Sequence, residues 1–110
     1  MITTTDLIGT FFFEIESSNG DLKGEYLNNV GYKKSTETAK KQSGSSPDPF
    51  DGIYDSCWFD GNQQQNAQLT ITSNKDGYDL EWVNALPNEA NYKGVGTKYK
   101  GTLIGGYWKV

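Results

Sequence analysis

Apolar and aromatic residues recur at every second position along most of this 110-residue chain, and this period constrains the fold more than any other feature. Phe11 and Phe13, for example, would share one face of an extended segment and Phe12 the other. Helical periodicity is nearly absent, and short Gly-containing turns separate the runs. The pattern predicts an all-β antiparallel meander of about seven strands. The predicted strands are Ile8 to Glu16, Leu22 to Val30, Phe50 to Phe59, Ala67 to Thr72, Tyr78 to Val83, Tyr92 to Lys98 and Thr102 to Val110.

One polar segment interrupts the alternation. From about residue 31 to 48 the chain is rich in Lys, Ser and Thr, and Pro47 and Pro49 follow at its end. Connections of this length are uncommon in compact domains unless they are disordered or act as a lid. We therefore expect a single domain over residues 1–110 with a long polar loop at about 31–48.

A short pattern occurs twice in the chain. The sequence Gly-x-Leu-x-Gly-x-Tyr is found at residues 20–26 and again at 101–107, each time at a turn. A glycine in a strand beside an aromatic residue allows a neighbouring ring to lie over the backbone and the strand to coil sharply. Closing such a sheet on itself removes its exposed edges. We expect a small closed antiparallel barrel.

Composition and charge exclude several classes of function. Fourteen acidic side chains stand against ten basic ones, all of them Lys, whereas nucleic-acid binding favours basic surfaces and Arg. With a single Cys and no His, the chain lacks the usual ligands for zinc, haem or iron–sulfur cofactors, and none is expected. The polar start, Met1 to Asp6, shows no signal peptide, and no apolar run could span a membrane. We expect no nucleic-acid or membrane partner and a cytoplasmic location.

Residues that could perform catalysis are few. There is no His to act as a general base or to activate Cys57, and no nucleophile or phosphate-loop motif appears. A pair of carboxylates flanking a cleft could hydrolyse a glycoside, but alternation directs most candidates towards water. We expect a protein that is not an enzyme. The candidate acids for that minor alternative are Glu14, Glu25, Asp79 and Glu81.

Four acidic residues cluster around the Pro49-Phe50 dipeptide. Oxygen-rich clusters can hold calcium, but the spacing does not match an EF-hand loop. A solvated strand edge explains the cluster better, and we expect no metal site there. The four residues are Asp48, Asp51, Asp55 and Asp60.

Large aromatic rings are the best candidates for a binding surface. They make up 14% of a chain with few aliphatic residues, so many of them must also build the core. Alternation could bring Tyr26, Tyr78, Trp82 and Tyr92 onto one inner surface. Rings also occur on outward-facing positions, where they would form a contact surface or an oligomer interface.

Several motifs resemble the avidin family of β-barrels. The opening hairpin of that family is similar to Gly9-Thr10-Phe11 followed by the segment 20–26. The segment 77–82 is similar to the family strand that ends in a ligand-stacking Trp. Tyr92-Lys93-Gly94 is similar to the Trp-x-Gly motif of the family. The resemblance implies a ligand in the open barrel mouth, with Tyr26 donating to a ligand carbonyl and with Trp82 and Tyr92 as walls. Asn28 stands where the family has a hydroxyl residue. In this alignment the family's last strand has no counterpart.

Two functions remain open at this point. The first is a non-catalytic module that holds a small molecule or glycan in an aromatic-lined barrel mouth, with Tyr26, Asn28, Tyr78, Trp82 and Tyr92 as ligand-binding residues. The second is a protein-interaction domain, such as an inhibitor, immunity or assembly subunit, that uses an aromatic sheet face and the Lys-rich loop from Tyr32 to Ser46.

Overall fold

The computed structural model describes residues 7–16, 18–31, 33–44 and 47–110, and these form eight β-strands and no helix. Within this part of the chain, no helix is long and apolar enough to cross a membrane. The predicted absence of a signal peptide concerns Met1 to Asp6, which lie outside the described residues. The strands are β1 (Ile8–Ile15), β2 (Leu22–Asn28), β3 (Ser35–Ser43), β4 (Gly52–Asp60), β5 (Gln63–Ser73), β6 (Tyr78–Asn84), β7 (Tyr92–Tyr99) and β8 (Thr102–Lys109).

The strands form one closed antiparallel barrel. Each strand pairs with the next in chain order, and β1 also pairs with β8, with Ile8 opposite Trp108 and Phe13 opposite Leu103. This closure leaves no free sheet edge. The predicted fold class, an all-β antiparallel meander barrel, is confirmed, with eight strands where the pattern gave about seven.

The additional strand lies within the predicted polar loop, and that part of the prediction is wrong. Strand β3 occupies Ser35–Ser43 and pairs with both β2 and β4. Its inward positions carry Glu37 and Ala39, both buried, so its alternation is hidden from a search for large apolar side chains. The predicted loop end Tyr32 and the residues Ser45 and Ser46 lie outside the described residues. Strand β3 completes the barrel as the neighbour of β2 and β4.

The repeated Gly-x-Leu-x-Gly-x-Tyr pattern has a structural explanation. Its two copies form β2 and β8, the two neighbours of β1, and Gly24 faces Phe13 while Gly105 faces Phe11. A Cβ atom on Gly24 would lie 2.5 Å from the Phe13 ring, and one on Gly105 would lie 2.9 Å from the Phe11 ring. The two Phe rings therefore lie over glycine backbone, as the sequence predicted.

One end of the barrel is filled by apolar side chains and closed by a plug, residues 47–51, which precedes β4. Phe50 in this plug is 1% exposed and packs edge-on against Tyr78, with ring centroids 6.0 Å apart. The Tyr54 hydroxyl donates to the Phe50 carbonyl oxygen at 2.8 Å. The fully buried aliphatic and Phe side chains below this plug are Phe13, Leu22, Leu69, Ile71 and Leu103.

Two members of the acidic cluster hold this plug in place. Asp48 accepts a hydrogen bond from the Tyr78 hydroxyl at 2.5 Å and another from the Phe50 amide at 2.9 Å. Asp51 accepts hydrogen bonds from both the amide and the hydroxyl of Ser73, at 2.5 and 2.7 Å. The interpretation of these two residues as a solvated strand edge is therefore wrong: their carboxylates tie a loop across the end of the barrel.

Candidate ligand-binding cavity

The opposite end of the barrel contains an open cavity of about 270 Å³. It lies where β2, β4, β6 and β8 end and where β1, β3 and β7 begin, so the inward residues at those ends form its wall. Seven aromatic rings line it: Phe11, Tyr26, Trp58, Phe59, Trp82, Tyr92 and Tyr107.

The rings of the cavity pack against one another edge to face. Tyr107 is at the centre of this arrangement, with ring centroids 6.1 Å from Tyr26, 6.1 Å from Trp82 and 5.9 Å from Tyr92. Trp58 contacts Tyr92 at 6.1 Å with its ring plane at 76°. Edge-to-face contacts of this kind fix ring orientation and contribute about 0.5–1.5 kcal/mol each beyond area burial. The wall of the cavity is thus held in shape before any ligand arrives.

The structure brings four of the five predicted site residues together. Tyr26, Asn28, Trp82 and Tyr92 all line the cavity, whereas Tyr78 does not. Tyr78 shares the inward face of β6 with Trp82, as alternation predicted, but it lies four residues away, about 13 Å along the strand. Its ring packs against the plug residue Phe50 at the closed end. Tyr78 is therefore a residue of the core and not of the cavity.

Asn28 has a positioning role in the structure. Its side-chain amide donates to the Tyr107 hydroxyl at 3.0 Å, and its side-chain oxygen accepts from the Val30 amide at 3.0 Å. Burial raises the pKa of Tyr26, and the neighbouring Ser35 side chain in the wall opposes the rise. The hydrogen bond from Asn28 orients the Tyr107 phenol group of the cavity.

Glu37 is the ionisable residue most deeply placed in the cavity wall, with a relative exposure of 6%. Its Oε2 atom accepts a hydrogen bond from the Trp82 indole N–H at 2.8 Å and a short one from the Ser56 hydroxyl. Burial away from water raises the pKa of Glu37 to about 7, and these two hydrogen bonds only partly oppose the rise. Near neutral pH this carboxyl group can therefore gain or lose a proton.

The phenol groups of the cavity remain protonated under physiological conditions. Burial raises the pKa of Tyr26 and Tyr92 and raises that of Tyr107 to about 12. Nearby acids act in the same direction: Glu37 on Tyr26 and Tyr107, and Asp60 on Tyr26 and Tyr92. All three hydroxyls therefore keep their protons inside a site with negative electrostatic character.

Tyr107, Trp58 and Glu37 are among the cavity residues that the predicted site did not include. Tyr107 occupies the last position of the repeated pattern, as Tyr26 does in the first copy, so the repeat itself could have identified it. Trp58 lies two residues after the buried Ser56 on β4, where alternation gives the same face, and it is at the cavity end of that face. Glu37 had no signal, because it lies in the segment interpreted as a loop.

The candidate catalytic carboxylates lie away from the cavity. Glu14, Asp79 and Glu81 are exposed and alternate with inward residues, and Glu25 pairs with Lys34 on the outside at 2.9 Å. In the part of the chain that the structure describes, no group of three or more His, Cys, Asp or Glu side chains could hold a metal ion. Nothing among these residues indicates catalysis.

Comparisons of the chain with protein-family models, with curated proteins and with solved structures gave no match. The resemblance to the avidin family therefore stays a prediction, and the cavity is the feature of the molecule that points to a function.

Proposed function

We propose that the protein is a non-catalytic binding module that holds a small molecule in the aromatic-lined mouth of its barrel. The observation that carries this proposal is the convergence of seven rings and one buried carboxyl group on a single open cavity. Such a combination of apolar walls and a few placed polar groups is typical of small-molecule sites. The other end of the barrel, by contrast, is closed by the packing of Phe50.

The size of the cavity limits its ligand. Pockets for drug-sized ligands usually measure about 300–1,000 Å³, so a cavity of this volume suits a molecule of one or two rings. Either a flat heterocycle or a single sugar unit could lie against the rings, because both present an apolar face and polar edges. The two classes are compared directly in the test.

The test is a binding screen combined with matched variants. Thermal shift and native mass spectrometry would be run with flat heterocycles, monosaccharides and biotin, the last because of the resemblance to the avidin family. Hits would be measured again with Tyr92→Ala and Trp58→Ala, which remove half-buried rings of the cavity wall. The controls are Tyr99→Ala, a 57% exposed Tyr at the far end of the same strand as Tyr92, and Trp108→Ala, an outward-facing Trp on β8.

We expect at least about a tenfold loss of affinity in the two cavity variants and unchanged affinity in the two controls, because a stacked ring contributes about 1.5 kcal/mol or more. Equal effects in both sets, or no binding by any compound of the screen, would contradict the proposal.

The alternative function, a protein-interaction domain, stays a prediction. The supporting feature is a set of outward apolar side chains on neighbouring strands, Val95, Ile104 and Trp108, which are 37–50% exposed. The Lys-rich segment was predicted to be a docking loop, but most of it forms strand β3. Sedimentation at increasing protein concentration tests self-association through this face, and Trp108→Glu would abolish a dimer built on it.

A further inference from the structure

The carboxyl group of Glu37 has one oxygen atom available to a ligand. Both of its described hydrogen bonds, from Ser56 and Trp82, are made to Oε2. Every fully buried side-chain nitrogen or oxygen among the described residues has a partner, and none of those residues donates to Oε1. Because Glu37 lines the cavity, Oε1 must border its open volume.

The surroundings of this oxygen atom favour positive charge. The charged side chains among the described cavity residues are Glu37, Asp60 and Lys33, and Lys33 lies exposed at the rim while Glu37 is buried. Several aromatic rings surround the same space, and the faces of Trp and Tyr rings attract cations. A desolvated carboxylate close to aromatic faces is the arrangement that recognises an organic cation.

We propose that the cavity takes a small organic cation that carries at least one N–H group, which donates to Oε1 of Glu37 while the apolar body of the ligand contacts Trp82 and Tyr107. This inference rests on the proposed binding function and names the chemical class of its ligand. The hydrogen bonds from Ser56 and Trp82 orient the carboxyl group, so that little ordering is needed when the cation binds.

A neutral ligand of the same shape satisfies this site less well. Without a cation, Glu37 is neutralised by a proton near neutral pH, since burial raises its pKa to about 7. A ligand cation replaces that proton and neutralises the carboxylate directly. A neutral N–H donor would leave a buried negative charge without a counter-charge.

The experiment compares probes that share a shape and differ in charge. The first set has one ring and three charges: benzamidinium is the cation, benzamide the neutral molecule and benzoate the anion. Phenylguanidinium and phenylurea provide a second pair of a cation and a neutral molecule. Dissociation constants would be measured by NMR titration at pH 8 for the wild-type protein and for Glu37→Gln. The Gln side chain keeps one oxygen as the acceptor for Ser56 and Trp82, removes the charge, and places an amide NH2 donor where Oε1 would accept from the ligand.

For the wild-type protein we expect each cation to bind at least about tenfold more tightly than its neutral counterpart, with no detectable binding of benzoate. In Glu37→Gln the preference for the cation should be lost, because both the charge and the acceptor at the Oε1 position are gone. Equal affinities in the wild-type protein, an unchanged preference in Glu37→Gln, or no binding of either cation would overturn the inference.

A measurement on the wild-type protein alone covers the case in which Glu37→Gln does not fold. Affinity for benzamidinium should fall about tenfold per pH unit well below the pKa of Glu37, because only the carboxylate form pairs with it. The other titratable or charged groups around this carboxyl are Tyr26 on β2, Tyr92 on β7, Tyr107 on β8, Asp60 at the end of β4 and Lys33 before β3. An affinity that is constant between pH 8 and pH 5 would contradict the inference.

Failure of this inference is distinguishable from failure of the proposed function. If sugars or neutral heterocycles bind and lose affinity in Tyr92→Ala, while no cation is preferred, the binding function stands and the cation inference is wrong. If no compound of any charge binds, the proposed function itself fails.

Discussion

Glu37 is the residue in which the requirements of folding and of function conflict most directly. An acidic side chain that is 94% buried reduces the stability of the folded state whenever it is charged, even with two hydrogen-bond donors to one oxygen. Leu or Val at this position would pack into the barrel without that cost. The conflict is understandable if the carboxyl group serves a ligand.

This conflict predicts how stability changes with pH. The unfolded chain releases the Glu37 proton near pH 4.5 and the folded chain near pH 7, so the contribution of Glu37 to stability is fully present below pH 4.5 and is lost as the pH rises to about 7. At about 1.36 kcal/mol per pKa unit, the loss is up to about 3 kcal/mol. Urea unfolding at pH 4.5 and pH 8 would measure it.

The control for this prediction is Glu37→Gln, which cannot ionise. Its free energy of unfolding should change less between the two pH values than that of the wild-type protein, and the difference is the contribution of Glu37. If both proteins lose the same stability, Glu37 is not the group responsible.

At the scale of single residues, the sequence was informative about large rings and uninformative about Glu37. Alternation correctly assigned Tyr26 and Trp82 to inward positions, because a side chain's face follows from its place in the strand. It could not reveal that Tyr78 and Trp82 lie at opposite ends of the barrel, since periodicity describes the face of a strand and not the depth along it.

Among the elements, the connection that closes one end of the barrel determines where the cavity lies. This plug, residues 47–51, inserts Phe50 into the barrel and is fastened by the carboxylates of Asp48 and Asp51. Because one end is filled in this way, the open volume is confined to the other.

The plug can be tested through the hydrogen bond between Tyr78 and Asp48. Tyr78→Phe keeps the ring but removes the hydroxyl that donates at 2.5 Å, so unfolding should become easier by about 1–3 kcal/mol in urea titrations. Ligand affinity at the cavity should not change, since Tyr78 does not line it. Tyr99→Phe, with its exposed ring, is the matched control. Loss of affinity without loss of stability would contradict this role for Tyr78.

Strand β3 shows why one element could not be predicted. Its inward side chains Glu37 and Ala39 are charged and small, so the segment has no apolar alternation. Its strand conformation depends on hydrogen bonding to β2 on one side and β4 on the other, which is a tertiary effect that overrides local composition. By contrast, the repeated glycine and tyrosine pattern indicated β2 and β8 from the sequence.

For the whole molecule, barrel closure follows from features visible in the sequence. Sequential hairpins, glycines opposite aromatic rings and the need to protect sheet edges all favour a sheet that closes on itself. The presence of a cavity does not follow from these features, because the same alternation is compatible with a barrel filled along its whole length. The cavity depends on how the rings at one end pack against one another, which only the structure describes.

The central claim is that the mouth of the barrel binds a ligand and that the remaining surface does not take part. The three Trp residues test it within one molecule, since Trp58 and Trp82 line the cavity and Trp108 lies on the outer surface. The measurement is an NMR titration that follows the three indole N–H signals as benzamidinium, or the best compound of the screen, is added. We predict that the signals of Trp58 and Trp82 shift together to saturation while that of Trp108 stays in place. Movement of the Trp108 signal alone, or no saturable shift with any compound, would contradict the claim.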